Sequence, residues 1–189
     1  MRILIIEDKA KHILSAEKFA KECGHEVVIA TSYDDAEKLL CSNNEEYDND
    51  NRFGRRAFVH TFDVVLTDLL LPVSVTGQSN RDISGEMPYG LSLIILAMRT
   101  GVKKIGLLTD GGHHDHPFIW ALDPLGGYDG KPFTIGDITV MCSSNGPIFH
   151  KKYSWEEDLP NHVQAGDPLE GAKDWMTFFM RLMNAVELI

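Results

Sequence analysis

The sequence predicts one doubly wound α/β domain, in which helices cover both faces of a five-stranded parallel sheet. Apolar runs alternate with amphipathic stretches along the chain, and this alternation is typical of strands joined by right-handed helical crossovers. Residues 3–6 and 62–66 are apolar at nearly every position, as in strands that are buried on both faces. Acidic or hydroxyl residues follow several of these runs, where open parallel sheets bind their ligands.

Length and composition agree with a single cytoplasmic domain spanning residues 1–189. A hydrophobic content of 43% with nine phenylalanines is sufficient for a proper core. The net charge of −10 argues against a nucleic-acid surface and against binding to anionic membranes. The chain contains an odd number of cysteines, namely Cys23, Cys41 and Cys142. This is expected when the thiols stay reduced, as they do in the cytosol. No apolar run approaches the roughly 18 residues of a membrane span.

In the first half of the chain, each predicted strand precedes a helix or a loop with clear boundary signals. Ser32 and Asp35 predict a capping box at the start of the second helix, and Gly24 predicts the end of the first. The predicted elements are strand 3–6, helix 9–23, strand 25–30, a helix through 39–41 and strand 62–66. A polar insertion is predicted at about 42–56.

The second half is less regular. A long loop is predicted at 73–89, and such loops are uncommon unless they are functional. The predicted elements are helix 91–99, strand 104–108, a short helix through 120–122, a hairpin joining 133–135 to strand 138–142, and a last helix that begins at Asp167 and continues to the end. Gly136-Asp137 supplies the hairpin turn. Residues 127–166 are predicted to contain the third insertion.

Polar residues at the carboxyl ends of the strands form the candidate site. Glu7-Asp8 follows the first strand, Asp68 the third and Thr109 the fourth, so all four should meet at one edge of the sheet. Adjacent buried carboxylates need a cation or a proton. The alternatives are ordinary ones: Asp68 as a turn residue and the acidic pair as helix N-terminal residues.

This edge resembles the active site of response-regulator receiver domains. The resemblance is carried by an ordered set of segments, namely 3–8, 63–72, 90–99 and 107–109, and it extends over 1–41 and 57–126. It implies a flavodoxin-like sheet with the strand order 2-1-3-4-5. Large insertions and a hairpin before the fifth strand distinguish this chain from the family pattern.

The resemblance also implies roles for individual residues. Asp68 would accept a phosphoryl group from a histidine kinase or phosphotransfer protein. Glu7, Asp8, Asp68 and the main-chain carbonyl of Leu70 would hold Mg²⁺, a hard cation that prefers oxygen ligands. Thr109 would hydrogen-bond the phosphoryl group and change a surface that contacts a downstream protein.

Two positions depart from the family pattern. Receivers carry a lysine before a proline after the fifth strand, and Lys131-Pro132 resembles that motif, with Tyr128 as the switch aromatic residue. The hairpin prediction instead places Lys131 away from the site, so its role stays open. Asp110 replaces the small residue that usually follows the hydroxyl residue, and its carboxylate would repel a phosphoryl group unless it points away or meets a cation.

Three functions are therefore compatible with the sequence. The first is a stand-alone receiver without an output domain, whose enzymatic activity is at most self-dephosphorylation. The second is a degenerate receiver that binds partners without being phosphorylated. The third is a metal-dependent hydrolase or phosphatase that uses the carboxylates with His113, His114, Asp115 and His116. The sequence leaves the partners and the oligomeric state open, a homodimer included.

Overall fold

A six-stranded sheet forms the centre of the protein. The computed structural model describes residues 1–41, 61–74, 87–111, 117–126, 130–144, 146–151, 162–163 and 166–185. The strands of the central sheet are β1 (Arg2–Ile6), β2 (Glu26–Ala30), β3 (Val64–Thr67), β4 (Lys104–Leu108), β5 (Pro132–Ile135) and β6 (Ile138–Ser143). Their spatial order is β2-β1-β3-β4-β6-β5. Two further short strands, β7 (His150–Lys151) and β8 (His162–Val163), pair with each other.

The predicted 2-1-3-4-5 order is confirmed, with β6 as the fifth parallel strand. The predicted hairpin is confirmed as well, because β5 pairs antiparallel with β6 and Ile135 lies opposite Ile138. Gly136 at the turn has a φ of 61°, a conformation that glycine adopts without steric cost. The sheet therefore gains a sixth strand at one edge without changing the order of the parallel strands.

Helices cover both faces of the sheet. They are α1 (Ala10–Glu22), α2 (Tyr33–Cys41), α3 (Tyr89–Arg99), α4 (Pro117–Trp120) and α5 (Trp175–Met183), with a 3₁₀ turn at Asp123–Leu125. Alternate residues of β1 serve the two cores: Leu4 and Ile6 pack with α2 and α3, whereas Ile3 and Ile5 pack with α1 and α5. This alternation explains why the run is apolar throughout. No helix among the described residues is long and apolar enough to cross a membrane.

The second helix begins as its capping box predicts. The Asp35 main-chain N–H donates to Ser32 Oγ at 3.3 Å, and Ser32 Oγ donates to the Asp35 carboxylate at 2.8 Å. The first helix ends as predicted too, since Cys23 N donates to Phe19 O and Gly24 follows with a φ of 67°. Local signals therefore set both boundaries correctly.

The predicted start of the last helix is wrong. Residues 167–170 form a turn, Gly171 follows with a φ of 74°, and α5 begins only at Trp175. Asp174 is the true N-cap, because its carboxylate accepts hydrogen bonds from Thr177 N at 3.0 Å and Thr177 Oγ1 at 2.6 Å. The left-handed glycine breaks the helical path, so the next residues turn toward the sheet.

The three predicted insertions fall only partly within the described residues. The segment at 42–56 lies outside them, as do most of 73–89 and parts of 127–166. The division of the whole chain into one domain with three insertions therefore stays a prediction. The described strands and helices nevertheless fix the edge of the sheet at which the predicted site residues lie.

Candidate functional site

The parallel register of β1 and β3 brings three carboxylates together. Ile6 lies opposite Thr67, so Glu7 and Asp68 lie side by side directly after the ends of two adjacent strands. Asp68 N donates to Ile6 O at 2.9 Å, which fixes the backbone at this point. One carboxylate oxygen from each of Glu7, Asp8 and Asp68 lies within 4.8 Å of the others.

A buried lysine lies among these acids. Lys173 Nζ is 2.6 Å from Glu7 Oε2 and 2.9 Å from Asp68 Oδ2, and all three side chains are fully buried. The other oxygen of Asp68, Oδ1, accepts a hydrogen bond from Leu69 N at 2.7 Å. Asp8 is half-buried at the margin of the cluster. One buried ammonium group thus contacts two buried carboxyl groups, with a third carboxyl group at the margin.

The charge balance of this cluster favours an additional cation. Burial raises the pKa of Glu7 to about 7, although the Lys173 ammonium opposes that shift, and the neighbouring Asp68 carboxylate raises it further. A carboxyl group with such a pKa carries a proton part of the time at neutral pH. A divalent cation would supply the missing positive charge, and three carboxylates are a donor set that suits Mg²⁺. Leu70 lies half-buried in the turn after Asp68, and its carbonyl stays a predicted ligand.

Lys173 is held through its main chain by helix α1. Its N–H donates to His12 Nδ1 at 3.1 Å, and its carbonyl accepts a hydrogen bond from Ser15 Oγ at 2.5 Å. Trp175 Nε1 donates to His12 O at 3.3 Å, and the Lys173 ammonium lies 5.5 Å from the centre of the Trp175 ring. The residues that precede α5 are therefore fastened to α1 at several points.

Asp110 does not face the carboxylates as an uncompensated charge. Its Oδ2 accepts a hydrogen bond from His12 Nε2 and its Oδ1 accepts one from Lys9 Nζ, both at 2.9 Å. The hydrogen bond from His12 lowers the pKa of Asp110 well below its usual value, and the bond from Lys9 lowers it further. Burial lowers the pKa of His12, against the effect of Asp110. The sequence predicts that Asp110 must point away or meet a cation, and Lys9 is that cation.

Thr109 lies where the sequence places it, at the carboxyl end of β4. It is buried, its N–H donates to Ser143 O at 3.0 Å, and its Oγ1 accepts a hydrogen bond from Gly111 N at 3.4 Å. Its position next to the end of β6 is thereby fixed by the backbone. The hydroxyl lies at the same edge of the sheet as the carboxylates.

Lys131 lies immediately before β5, which is the first strand of the predicted hairpin. It is exposed, whereas Asp68 is fully buried with Lys173 beside it. The lysine that the structure brings to the carboxylates is thus Lys173. Tyr128 and the segment 113–116 lie outside the described residues, so the switch aromatic residue and the histidine loop of the hydrolase hypothesis stay predictions.

Helix α3 begins directly against the backbone that carries Asp68. Gly90 N donates to Leu69 O at 3.0 Å, and a Cβ at Gly90 would lie 2.1 Å from Asp68 O. Glycine is therefore required by this close approach. Thr67 Oγ1 donates to the same carbonyl at 2.8 Å, so the turn after β3 is fixed from two sides.

Sequence reasoning missed two residues of this site. His12 belongs to the buried face of α1 together with Ala16 and Phe19, and a histidine at that spacing was the available signal. Lys173 directly precedes the apolar stripe of the last helix. The helix start predicted at Asp167 placed Lys173 inside a helix, so its role in the site was not predicted.

No protein-family model matches the chain, and no curated protein matches it either. Among solved structures, the chain is similar to the non-phosphorylated receiver domain of HemR from Leptospira biflexa. The two are 21% identical, the match covers 66% of this chain and 75% of that chain, and the TM-score is 0.38. The receiver domain of the hybrid histidine kinase CckA is 16% identical, with 67% and 97% covered and a TM-score of 0.37. Because both TM-scores are low, a function for this chain has to rest on its own strand order and site geometry.

Proposed function

We propose that this protein is a receiver-like signalling domain that accepts a phosphoryl group on Asp68 in the presence of Mg²⁺. The observation that supports this most directly is the convergence of Glu7, Asp8 and Asp68, two of which contact the buried ammonium of Lys173. A histidine kinase or a phosphotransfer protein would donate the phosphoryl group, and a downstream protein would bind the changed surface. The same reaction would take place in the cytoplasm.

The two oxygens of Asp68 suit different tasks. Oδ1 is held by Leu69 N, whereas Oδ2 accepts no hydrogen bond among the described residues and lies beside Lys173. We assign the attack to Oδ2: it forms the new O–P bond while the bond from phosphorus to the donor breaks, and the donor leaves with that electron pair. The product is an acyl phosphate.

Glu7 and Asp8, with Asp68, would hold the cation. When bound, Mg²⁺ neutralises charge on the phosphoryl oxygens during transfer. Lys173 supplies a second fixed positive charge at the same oxygens, in the role that the family motif suggests for Lys131. Because its ammonium already contacts Asp68, it needs no large rearrangement to stay beside the phosphorylated side chain.

Thr109 is the residue through which phosphorylation would reach the surface. Its hydroxyl would bond a phosphoryl oxygen and leave Gly111 N, to which it is bonded at 3.4 Å. That long hydrogen bond is readily exchanged for a charge-assisted one. The backbone at Gly111 would then lose this hydrogen bond, and its changed position would alter the surface that a partner contacts.

A degenerate receiver is the second candidate, and one observation favours it. Asp68 and Lys173 are both fully buried and paired with each other, so a donor reaches Asp68 only if the site opens. A site that stays closed would keep its carboxylates and lysine as a structural cluster. The protein would then act as a constitutive binding module.

Incubation with acetyl phosphate and Mg²⁺, followed by intact mass measurement, separates the two candidates. We expect one phosphoryl group per chain, which Asp68→Asn abolishes. Asp63→Asn, which alters a carboxylate at the amino end of the same strand, is the matched control and should be phosphorylated normally. A folded wild-type protein that gains no mass with Mg²⁺ and excess acetyl phosphate would establish the degenerate receiver instead.

A further inference from the structure

We infer that His12 and Ser15 of α1 form a clamp on the main chain of Lys173, with Asp110 orienting His12, and that this clamp positions the Lys173 ammonium at Asp68. These are positioning residues that act through Lys173. The effect on phosphorylation rests on the proposed function. The clamp itself is a matter of geometry and has its own readout.

A device of this kind is needed because the sheet does not place Lys173. Strand β6 ends at Ser143, and residues 144–172 separate it from the lysine. Ile148 forms an isolated antiparallel bridge with Lys173, but Ile148 itself belongs to the connection between β6 and α5. The attachment to a regular element of the domain comes from α1.

The clamp contacts both polar groups of the Lys173 main chain. His12 Nδ1 accepts from the N–H at 3.1 Å, and Ser15 Oγ donates to the carbonyl at 2.5 Å. His12 is fully buried and Ser15 nearly so, so water does not compete for these groups. Two polar residues on an otherwise apolar helix face thereby find partners, as buried polar groups must.

Asp110 determines which nitrogen of His12 can accept. A carboxylate only accepts hydrogen bonds, so Asp110 Oδ2 holds the proton on His12 Nε2 at 2.9 Å. His12 Nδ1 is then left without a proton and can accept from Lys173 N. Carboxylates orient catalytic and metal-binding histidines in the same way.

Because of Lys9, the tautomer of His12 depends on whether residue 110 is an aspartate or an asparagine. Because Lys9 Nζ contacts Oδ1, the amide in Asp110→Asn would turn its oxygen toward Lys9 and its NH₂ toward His12. An NH₂ group at Nε2 favours the tautomer with the proton on Nδ1. Two donors, His12 Nδ1–H and Lys173 N–H, would then face each other and the clamp would open.

Electrostatics alone predicts the opposite effect of this substitution. Asp110→Asn removes a negative charge near the carboxylate cluster and should ease the approach of an anionic phosphoryl donor. The clamp predicts slower phosphorylation, by roughly 10-fold, the lower end of the range for residues that orient a functional group. The direction of the change therefore separates the two explanations.

The experiment uses the full chain in wild-type form and as Asp110→Asn, with Asp137→Asn as the matched control. Asp137 forms an exposed ion pair with Lys103, so its substitution makes the same chemical change away from the site. Nitrogen NMR of His12 should show Nε2–H in the wild type and Nδ1–H in Asp110→Asn. The Lys173 amide should exchange its hydrogen faster in that variant, and acetyl phosphate with Mg²⁺ should phosphorylate it more slowly.

A second variant tests the mechanism by rescue. In the double variant Lys9→Met with Asp110→Asn, no other side chain among the described residues holds the amide oxygen away from His12, so the Nε2–H tautomer and the slow exchange of Lys173 should return. An unchanged tautomer in Asp110→Asn, faster phosphorylation, or no rescue would each overturn the clamp. If the wild type is never phosphorylated, the proposed function fails, while the NMR and exchange results still decide the clamp.

Discussion

Lys173 Nζ lies 2.6 Å from Glu7 Oε2, and neither side chain is exposed to solvent. The pair joins the first strand to the residues that precede the last helix. Such a pair is costly to desolvate, but removing one member is costlier still because the other charge is left buried. The stability of the domain and the chemistry of the site therefore depend on the same contact.

Replacing Lys173 should destabilise the protein strongly. In Lys173→Met, Glu7 and Asp68 lose their buried counter-ion, and we expect the free energy of unfolding to fall by about 3–5 kcal/mol. Urea denaturation measures this change. The exposed Lys131→Met is the control, with an expected change within about 0.5 kcal/mol. A loss of similar size in both variants would contradict the assigned position of Lys173.

Mg²⁺ should stabilise the folded protein. A ligand that binds only the folded state adds about 2.7 kcal/mol at 100 times its Kd, so thermal unfolding should shift upward with added MgCl₂. Asp8→Asn should remove most of this shift, because Asp8 supplies one of the three carboxylates. Sodium chloride at matched ionic strength controls for screening. An equal shift with both salts would argue against a specific site.

The contribution of His12 to stability should fall in mild acid, before that of Asp110 does. Burial holds the pKa of His12 below its usual value of 6.5, so the unfolded chain takes up a proton there that the folded chain does not. The contribution of His12 to stability is therefore lost as the pH falls below about 6.5, by at most about 1.4 kcal/mol per pH unit for one proton. Glu7 acts in the opposite direction over the same range, because burial raises its pKa to about 7 and the folded chain takes up its proton first. Asp110, whose pKa is lowered from 3.8, contributes its loss only below about pH 4.

Denaturant titrations of the wild type and His12→Asn at pH 7 and pH 5 measure the contribution of His12. Asparagine keeps an acceptor near the position of Nδ1 but does not titrate. Glu7 affects both proteins alike, so the change in stability from pH 7 to pH 5 should be less favourable in the wild type than in the variant. Equal changes in the two proteins would mean that His12 does not contribute to the dependence.

A methyl group at Gly90 should disturb the site through the backbone. In Gly90→Ala the Cβ would clash with Asp68 O at 2.1 Å and with Leu69 Cα at 2.9 Å, at a cost of about 1–3 kcal/mol. Displacement of the Asp68 backbone should also slow phosphorylation by acetyl phosphate, because a shift of about 1 Å can cost roughly 100-fold.

Gly24→Ala provides the comparison for Gly90→Ala. Gly24 has a φ of 67° and open space around its Cα, so alanine there costs about 1–2 kcal/mol of conformational strain far from Asp68. Both variants should lose stability, as measured by urea denaturation. If Gly24→Ala lowered the phosphorylation rate as much as Gly90→Ala, general destabilisation would be the cause.

The sequence was sufficient for the sheet because each strand carries its own signals. The Gly136-Asp137 turn predicted the hairpin, and the apolar runs predicted the parallel strands. The placement of Glu7 next to Asp68 followed from the rule that parallel strands end at a common edge. These inferences need only local composition and the topology of a doubly wound sheet.

The lysine could not be predicted in this way, because its position depends on contacts between distant parts of the chain. Lys131-Pro132 resembles the receiver motif, yet it lies at the start of the hairpin. Lys173 reaches the site because Gly171 interrupts the helical path and α1 binds the main chain beyond that glycine. The local sequence signal at Asp167 predicts a helix start, but these tertiary contacts override it, as they commonly override local propensity.

The contact between Lys173 and Glu7 spans 166 positions of the sequence. Contacts between residues that are so far apart in sequence form late in folding, because the entropy of closing a long loop must be overcome first. During synthesis, Glu7 and Asp68 emerge well before the residue that neutralises them. The pocket is therefore completed only after residue 173 has been made, so a polypeptide truncated before Lys173 lacks this stabilising pair.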